Sequence, residues 1–413
     1  MNLSWAALRM LEEEHGDSFY ILDIRRFEKN LLEMRQAFRC VYPNTNIGYS
    51  CKTNYLPRLC QAVSGMDGYV EVSSAMEYDL ATICGVDPRR LIFNGPLKSA
   101  DELERALIAG SIVNLDGFEE VEIVEALARA CPDRSLSVGL RCNFDIGERP
   151  ISRFGFDVNG GDLETAFSRL DALRTCRVDG LHCHFSTPGR SVKSYRHRTE
   201  KLLEVADRHF KDRQPRFIDV GGGFFGKMPT DLRSQFDVHV PTYAEYADAV
   251  ASPLRRRYPD ETGVELIVEP GMAVVSDVLA FVAKVRGVKQ IQSRRVALVS
   301  GSIHDVRPTM TDKRLALRVY ASDVRRTERT VAGPVDLVGY TCLEHDCLYA
   351  GYSGEIGVDD YAVFENVGAY TIVLRPPFIR PGPPVVSYDA LADAYALVRR
   401  RETVEDVLST YVI

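Results

Sequence analysis

No run of ~18 uncharged apolar residues occurs anywhere in the chain, so a membrane-spanning helix is not expected. Cysteine pairs of the Cys-x-x-Cys type are also missing. The ten cysteines are scattered, and most, such as Cys84, Cys131 and Cys176, sit among apolar neighbours, as reduced core thiols do. Residues Met1–Asp17 lack the basic start and apolar core of a secretory leader, carrying Glu12, Glu13 and Glu14 instead. A cytoplasmic location is the expectation. Excess positive charge is absent too: the net charge of -7 argues against a nucleic-acid partner, since phosphate backbones are met by clustered Lys and Arg. The local runs Arg196-His197-Arg198 and Arg255-Arg256-Arg257 read as solvated helix faces. There are no repeats of solenoid period and no low-complexity tract.

What is present is a chain of ordinary globular composition, 45% hydrophobic and 26% charged. Its 413 residues exceed the ~100–200 that one core usually serves, so two domains are expected. From Thr45 to about Pro270, short β-rich runs alternate with helix-length segments. The runs are Ile47–Lys52, Tyr69–Val72, Leu91–Asn94, Ile112–Leu115, Leu136–Arg141, Val178–Phe185, Arg216–Val220 and Leu266–Glu269. Segments such as Ala75–Cys84, Ser99–Ala109, Gly117–Ala130 and Tyr195–Phe210 lie between them, with Ser, Asp or Gly near their starts. This alternation predicts an α/β fold with a (β/α)8 barrel over residues 31–275, functional groups lying at the C-terminal ends of its strands. Beyond Pro270 the runs Leu279–Val285, Arg295–Ser300, Leu315–Tyr320, Val335–Val338 and Tyr361–Phe364 follow without long helices. They predict a mostly antiparallel β-domain, residues 276–413 together with 1–30. Phe378–Pro384 reads as a surface connection and Thr403–Tyr411 as a terminal helix.

Four features at predicted strand ends carry chemistry. Lys52 ends the first strand in Gly48-Tyr49-Ser50-Cys51-Lys52-Thr53-Asn54, where a buried lysine with a lowered pKa suits a covalent bond to an aldehyde cofactor. Taken by itself it reads more readily as a surface lysine in a βα loop. Gly221-Gly222-Gly223, after Asp219-Val220, would let backbone N–H groups reach a phosphate, or simply make a turn. Glu269, in Glu269-Pro270-Gly271, is placed to hold a proton on a pyridine nitrogen, or to form a salt bridge at the barrel mouth. His182 and His184 alternate onto one face and could flank a planar ring or be hydrogen-bonded barrel residues. A metal is not expected, because no third ligand falls at a recognisable spacing.

Assembled, these stretches resemble the pyridoxal-phosphate-dependent decarboxylases of the alanine-racemase-like fold (fold type III), which include diaminopimelate, ornithine and arginine decarboxylases. The likeness runs through Tyr49–Asn54, Val72-Ser73-Ser74-Ala75-Met76-Glu77, Asn94-Gly95-Pro96-Leu97-Lys98, Ser152-Arg153-Phe154-Gly155-Phe156, His182–Thr187, Gly221–Phe224, Glu269–Gly271, Cys342-Leu343-Glu344-His345-Asp346 and Glu365–Thr371. The tail Arg399–Thr403 is nearest the diaminopimelate branch. The resemblance implies pyridoxal 5'-phosphate held covalently by Lys52, flanked by His184 and paired through Glu269. It implies a phosphate site from Gly221, Gly222, Gly223 and Tyr370, with Arg141, Thr187 and Gly271 also at the cofactor. Cys342 would come from the partner subunit of a homodimer to protonate the α-carbon, and Arg307, Glu344 and Asp346 would meet the substrate.

Departures from the family pattern concern the substrate. Met272 follows Glu-Pro-Gly where relatives commonly carry arginine, so a cationic fork is missing. Leu343 replaces the acidic residue that meets a distal amino group. Thr311 stands where a tyrosine accompanies the arginine matching Arg307. Leaving a substrate ammonium unpaired costs about 1–3 kcal/mol or more. The expectation is therefore decarboxylation of a modified or conjugated amino acid, as in siderophore or other secondary metabolism, with Arg307 and the loop Arg190-Ser191-Val192-Lys193 meeting an anionic distal group. The alternative is a diaminopimelate or other basic amino acid decarboxylase. An amino-acid racemase and a non-catalytic pyridoxal-phosphate-binding protein fit less well, the first because Lys52-Thr53-Asn54-Tyr55-Leu56-Pro57 lacks the racemase continuation.

Overall fold

The computed structural model describes residues 3–149, 151–211, 213–259, 263–322, 330–389, 391, 392 and 394–412. The chain divides into two compact units, one formed by Glu28–Gly226 with Val238–Val274, the other by Met1–Phe27, Lys227–Asp237 and Val275–Ile413.

In the first unit eight parallel strands close into a barrel: Thr45–Ser50, Tyr69–Val72, Leu91–Phe93, Ile112–Leu115, Leu136–Asn143, Cys176–His182, Phe217–Asp219 and Glu265–Val268. Closure is made where Leu266 pairs with Thr45 and Val268 with Ile47. Both faces of these strands are covered, so they read as apolar runs instead of alternating ones. Inside, Tyr69, Ile92, Ile112, Phe217 and Ile267 form one buried cluster. The Phe217 ring fits because two neighbouring strands carry glycine: a Cβ at Gly139 or Gly180 would come within 2.9 or 2.5 Å of it. The helices begin at side-chain caps, Ser74 accepting from the Glu77 N–H, and Ser99 with Glu102 and Thr242 with Glu245 forming capping boxes. Among the described residues no helix is long and apolar enough to cross a membrane.

The second unit is built on a nine-stranded, mostly antiparallel sheet. Ser18–Asp23, all six residues buried, lies between Leu279–Ile291 (antiparallel) and Val385–Asp389 (parallel). The sequence reading ended the first of these neighbours at Val285. It runs on to Ile291 because an irregularity at Val285/Gly287 redirects the strand onto Arg294–Val299. Strands Ser18–Asp23, Cys347–Tyr352, Val385–Asp389 and Ala394–Arg399 carried no signal distinct enough to be placed from sequence. Phe378–Pro384 is irregular, as expected, and the terminal helix is confined to Val404–Leu408, capped by Thr403. Lys227–Asp237 joins this unit because the Gln235 side chain donates to the Arg314 carbonyl and accepts the Arg314 N–H.

One buried ion pair anchors the sheet. Arg375 and Asp305 have side chains only 3% and 2% exposed and are directly bonded, and Arg375 also donates to the Pro376 carbonyl. Burial works against the guanidinium's charge, yet Asp305 beside it keeps its pKa above the ordinary value. Removing one partner of such a pair leaves the other as an uncompensated buried charge. Arg375→Met is expected to lower the unfolding free energy by about 3–5 kcal/mol in chemical denaturation, and a loss below about 1 kcal/mol would show that the pair contributes little.

Candidate active site

The strand Thr45–Ser50 ends in a tight turn, Cys51–Thr53, that presents Lys52. The turn is fixed from several sides: the Asn54 N–H donates to the Cys51 carbonyl at 3.0 Å, and the Tyr49 hydroxyl to the Asn54 carbonyl at 2.7 Å. Gly271 lies against it so closely that a Cβ there would meet Thr53 Oγ1 at 2.0 Å. This explains a glycine at Gly271 by packing beneath Lys52. The Lys52 ammonium is paired with Glu71 and donates to Ser73 Oγ at 3.2 Å.

Glu71 is fully buried at the end of the second barrel strand. It also accepts from Ser50 Oγ, from Ser73 Oγ at 3.0 Å and from Asn94 Nδ2 at 3.2 Å. The same Asn94 amide donates to Glu269 Oε1 at 2.6 Å, while its own oxygen accepts from Asn114 at 2.9 Å. Asn94 thus stands between the carboxylate that holds Lys52 and the carboxylate at the end of the eighth strand.

Glu269 is 3% exposed and lies 3.4 Å from His182 Nε2. Burial alone would raise its pKa, but His182 and Lys52 beside it hold it well below the usual carboxylate range. Asp219 goes the other way: burial and then the neighbouring Glu269 push it far above its ordinary value. The two carboxyls are thus pushed in opposite directions. Asp219 Oδ2 has no hydrogen-bond partner among the described residues. The ligand atoms of His182, Asp219 and Glu269 lie within 4.8 Å of one another. The sequence reading paired His182 with His184 instead, and Asp219 was not singled out.

His184 accepts the Gly222 N–H at Nδ1, 3.0 Å away, so the ring's proton sits on Nε2. Burial, with Arg141 and Lys52 nearby, lowers its pKa well below 6.5 and keeps it neutral. Arg141 is itself held by Asp116 at 3.0 Å and donates to the His184 carbonyl at 3.3 Å. The glycine run is as much a packing device as an anion cradle. A Cβ on Gly222 would lie 2.0 Å from the Glu269 carbonyl oxygen, and Gly221 and Gly223 have positive φ of 68° and 90°. Its first two N–H groups are engaged, by Asp219 and His184.

Around these groups is a cavity of about 480 Å³ lined by Lys52, Glu71, Asn94, His184, Thr187 and Glu269, among others. Lys52, His184, Glu269, Arg141 and Thr187, assigned from sequence, therefore meet in one place. Glu71, Ser73, Asn94 and Asp219 were not singled out. Glu71 lies within an apolar strand and Asn94 within a motif that was matched without being interpreted, so only burial reveals them. The donor set fits pyridoxal phosphate: a lysine amine, an ionised buried carboxylate able to hold a ring N–H, and a neutral imidazole.

The residues expected at the substrate lie in the other unit and differ in what they do. Asp346 is a correction. Its carboxylate is buried and accepts from the N–H of Ile303 at 2.7 Å and of Thr341 at 2.9 Å, and from the Thr341 hydroxyl at 2.6 Å, which shapes the loop carrying Cys342. Arg307 likewise donates to the carbonyls of Thr311, Lys313 and Cys347. Glu344 and Cys342 are exposed, and Tyr370 has a positive φ of 60°. In the loop Arg190–Lys193, Arg190 stacks on Phe225 at 4.7 Å and Ser191 caps a helix. Arg198, read from sequence as part of a solvated face, is wholly buried.

The family profile described as "Pyridoxal-dependent decarboxylase, pyridoxal binding domain" matches residues 25–276. Diaminopimelate decarboxylase of Helicobacter pylori is 24% identical to the chain over 96% of each. The crystal structure of the enzyme of that name from M. jannaschii superposes with a TM-score of 0.85 at 20% identity, covering 98% of this chain and 94% of that one. The H. pylori enzyme complexed with L-lysine gives 0.82 at 22% identity, covering 97% and 98%.

Two measurements probe the site. With added pyridoxal phosphate the protein is expected to show a visible absorbance band that Lys52→Ala lacks; a wild type without such a band would remove Lys52 from its role. His184 stays neutral in the fold but gains a proton below 6.5 when unfolded, so its contribution is complete above that pH and is lost as pH falls through it. His184→Gln should flatten the fall of unfolding free energy below pH ~6.5 by up to about 1.4 kcal/mol per pH unit, and an unchanged slope would count against a buried neutral ring.

Proposed function

The chain belongs to the pyridoxal-dependent decarboxylases, and within that family we propose that it removes one carboxylate from meso-diaminopimelate or a closely related basic amino acid, placing a proton on the same carbon. Pyridoxal phosphate, when bound, supplies an aldehyde for the substrate amine and a ring that takes up the electron pair left behind by carbon dioxide. The protein's part is positional and electrostatic. Lys52, held between Glu71 and Ser73, is the amine that carries the cofactor and gives way to the substrate. Glu269, held well below the usual carboxylate range, would keep a proton on the ring nitrogen. Neutral His184 would flank the ring without adding a competing charge. Cys342, exposed on a loop shaped by Asp346, is the proton donor to the α-carbon, contributed by a second copy of the chain in a homodimer. The free thiols suit a cytoplasmic enzyme.

What supports this substrate is the near-complete mutual coverage with diaminopimelate decarboxylases. L-lysine, bound in the H. pylori structure, is what diaminopimelate becomes on losing one carboxylate. A second reading, a modified or conjugated amino acid of secondary metabolism, is favoured by Leu343 in place of an acid and by Met272. Carbon dioxide release from meso-diaminopimelate, L-lysine, L-ornithine and L-arginine separates the two. Brisk turnover of meso-diaminopimelate is expected. No release from any of the four by cofactor-loaded protein would overturn the first reading in favour of the second, and loss of α-deuterium without carbon dioxide would point to racemisation.

A further inference from the structure

Arg198 lies in the second turn of helix Val192–His209 and is completely buried. Its polar partners among the described residues are two hydroxyls, Thr187 Oγ1 at 3.2 Å and Ser194 Oγ at 3.3 Å, both reached by Nη2. Nε and Nη1 have no hydrogen-bond partner. The guanidinium rests on the faces of Tyr195 at 4.3 Å and Phe185 at 5.5 Å. Aromatic faces ease the desolvation of a cation, but they do not replace an anion. A permanently charged group removed from water and left without a counter-charge is unfavourable, so something negative is expected nearby when the protein works.

The surroundings of Arg198 say where. Thr187 and Phe185 both line the cavity that contains Lys52. Tyr195 donates its hydroxyl to the Gly222 carbonyl at 2.8 Å and lies 3.2 Å from where a Cβ on Gly223 would be. Arg198 is thus directly behind the edge of the cavity where the threonine and the glycine run come together. Because Thr187 Oγ1 accepts from Arg198, its own hydroxyl hydrogen is released to point elsewhere, and an anionic oxygen in the cavity is its natural acceptor. Meanwhile Met272 occupies the place after Glu-Pro-Gly where related chains carry an arginine.

We infer that Arg198 is the buried counter-charge of the cofactor's phosphate, acting through the hydroxyl of Thr187. It is a positioning residue, since its guanidinium does not itself line the cavity. The inference rests on the family's cofactor and on no particular substrate, so a failure of diaminopimelate turnover leaves it untouched.

The test compares two aldehydes that form the same bond with Lys52, pyridoxal phosphate and pyridoxal, titrated by absorbance into cofactor-free protein. Arg198→Gln keeps hydrogen-bond donors and loses the charge. It should weaken pyridoxal phosphate by about ten- to a hundredfold while pyridoxal stays within about twofold of wild type. Arg198→Lys, which keeps the charge, should retain most of the preference. Equal weakening of both aldehydes would mean that Arg198 merely holds the fold, and undiminished binding of pyridoxal phosphate would equally overturn the inference. Should Arg198→Gln fail to fold, Thr187→Val is expected to show the same selective loss, and an unchanged ratio of the two affinities would then reject it.

Discussion

Two carboxylates sit at the mouth of the barrel with a single side-chain amide between them, and the arrangement of charge there depends on it. Asn94 gives one hydrogen bond to Glu71 and another to Glu269. The amide, with Lys52 on one side and His182 on the other, keeps the two acids apart, while burial with Glu269 beside it pushes Asp219 far above its ordinary value. Ring and lysine are thereby offered separate anions. Asn114 holds the amide oxygen and so fixes which end of Asn94 faces the acids.

This dependence explains what could and could not be seen in the sequence. The eight barrel strands were legible because they are short apolar runs alternating with helix-length segments. Lys52, His184 and Glu269 were legible because unusual residues at strand ends attract notice. Glu71, Asn94 and Asp219 were not, since a carboxylate or amide inside a matched motif carries no mark of burial. Arg198 was misread for a related reason. Within Arg196-His197-Arg198 composition suggests a solvated face, whereas helical periodicity turns Arg196 outward to Asp248 and Arg198 inward to Thr187. The second unit was less legible because its sheet joins segments from opposite ends of the chain, and no local pattern announces such a pairing.

Asp346 and Arg307 carry a similar lesson about inherited roles. Each has the chemistry a substrate would want, and each is engaged by its own loop. The exposed Glu344 is the acid in that motif not consumed by the fold of its loop.

The strand Ser18–Asp23 has a consequence for how the chain is made. It is apolar and β-prone, it precedes the barrel in the chain, and its partners, Leu279–Ile291 and Val385–Asp389, follow the barrel. The whole barrel is synthesised in between. Throughout that interval the strand is a sticky, unpaired edge, while the barrel can already close through contacts between its own neighbouring segments. Nascent chains halted before Leu279 would carry a finished barrel tethered to an exposed aggregation seed. The burden on chaperones falls on these six residues and is relieved only once the segment from Leu279 onward appears.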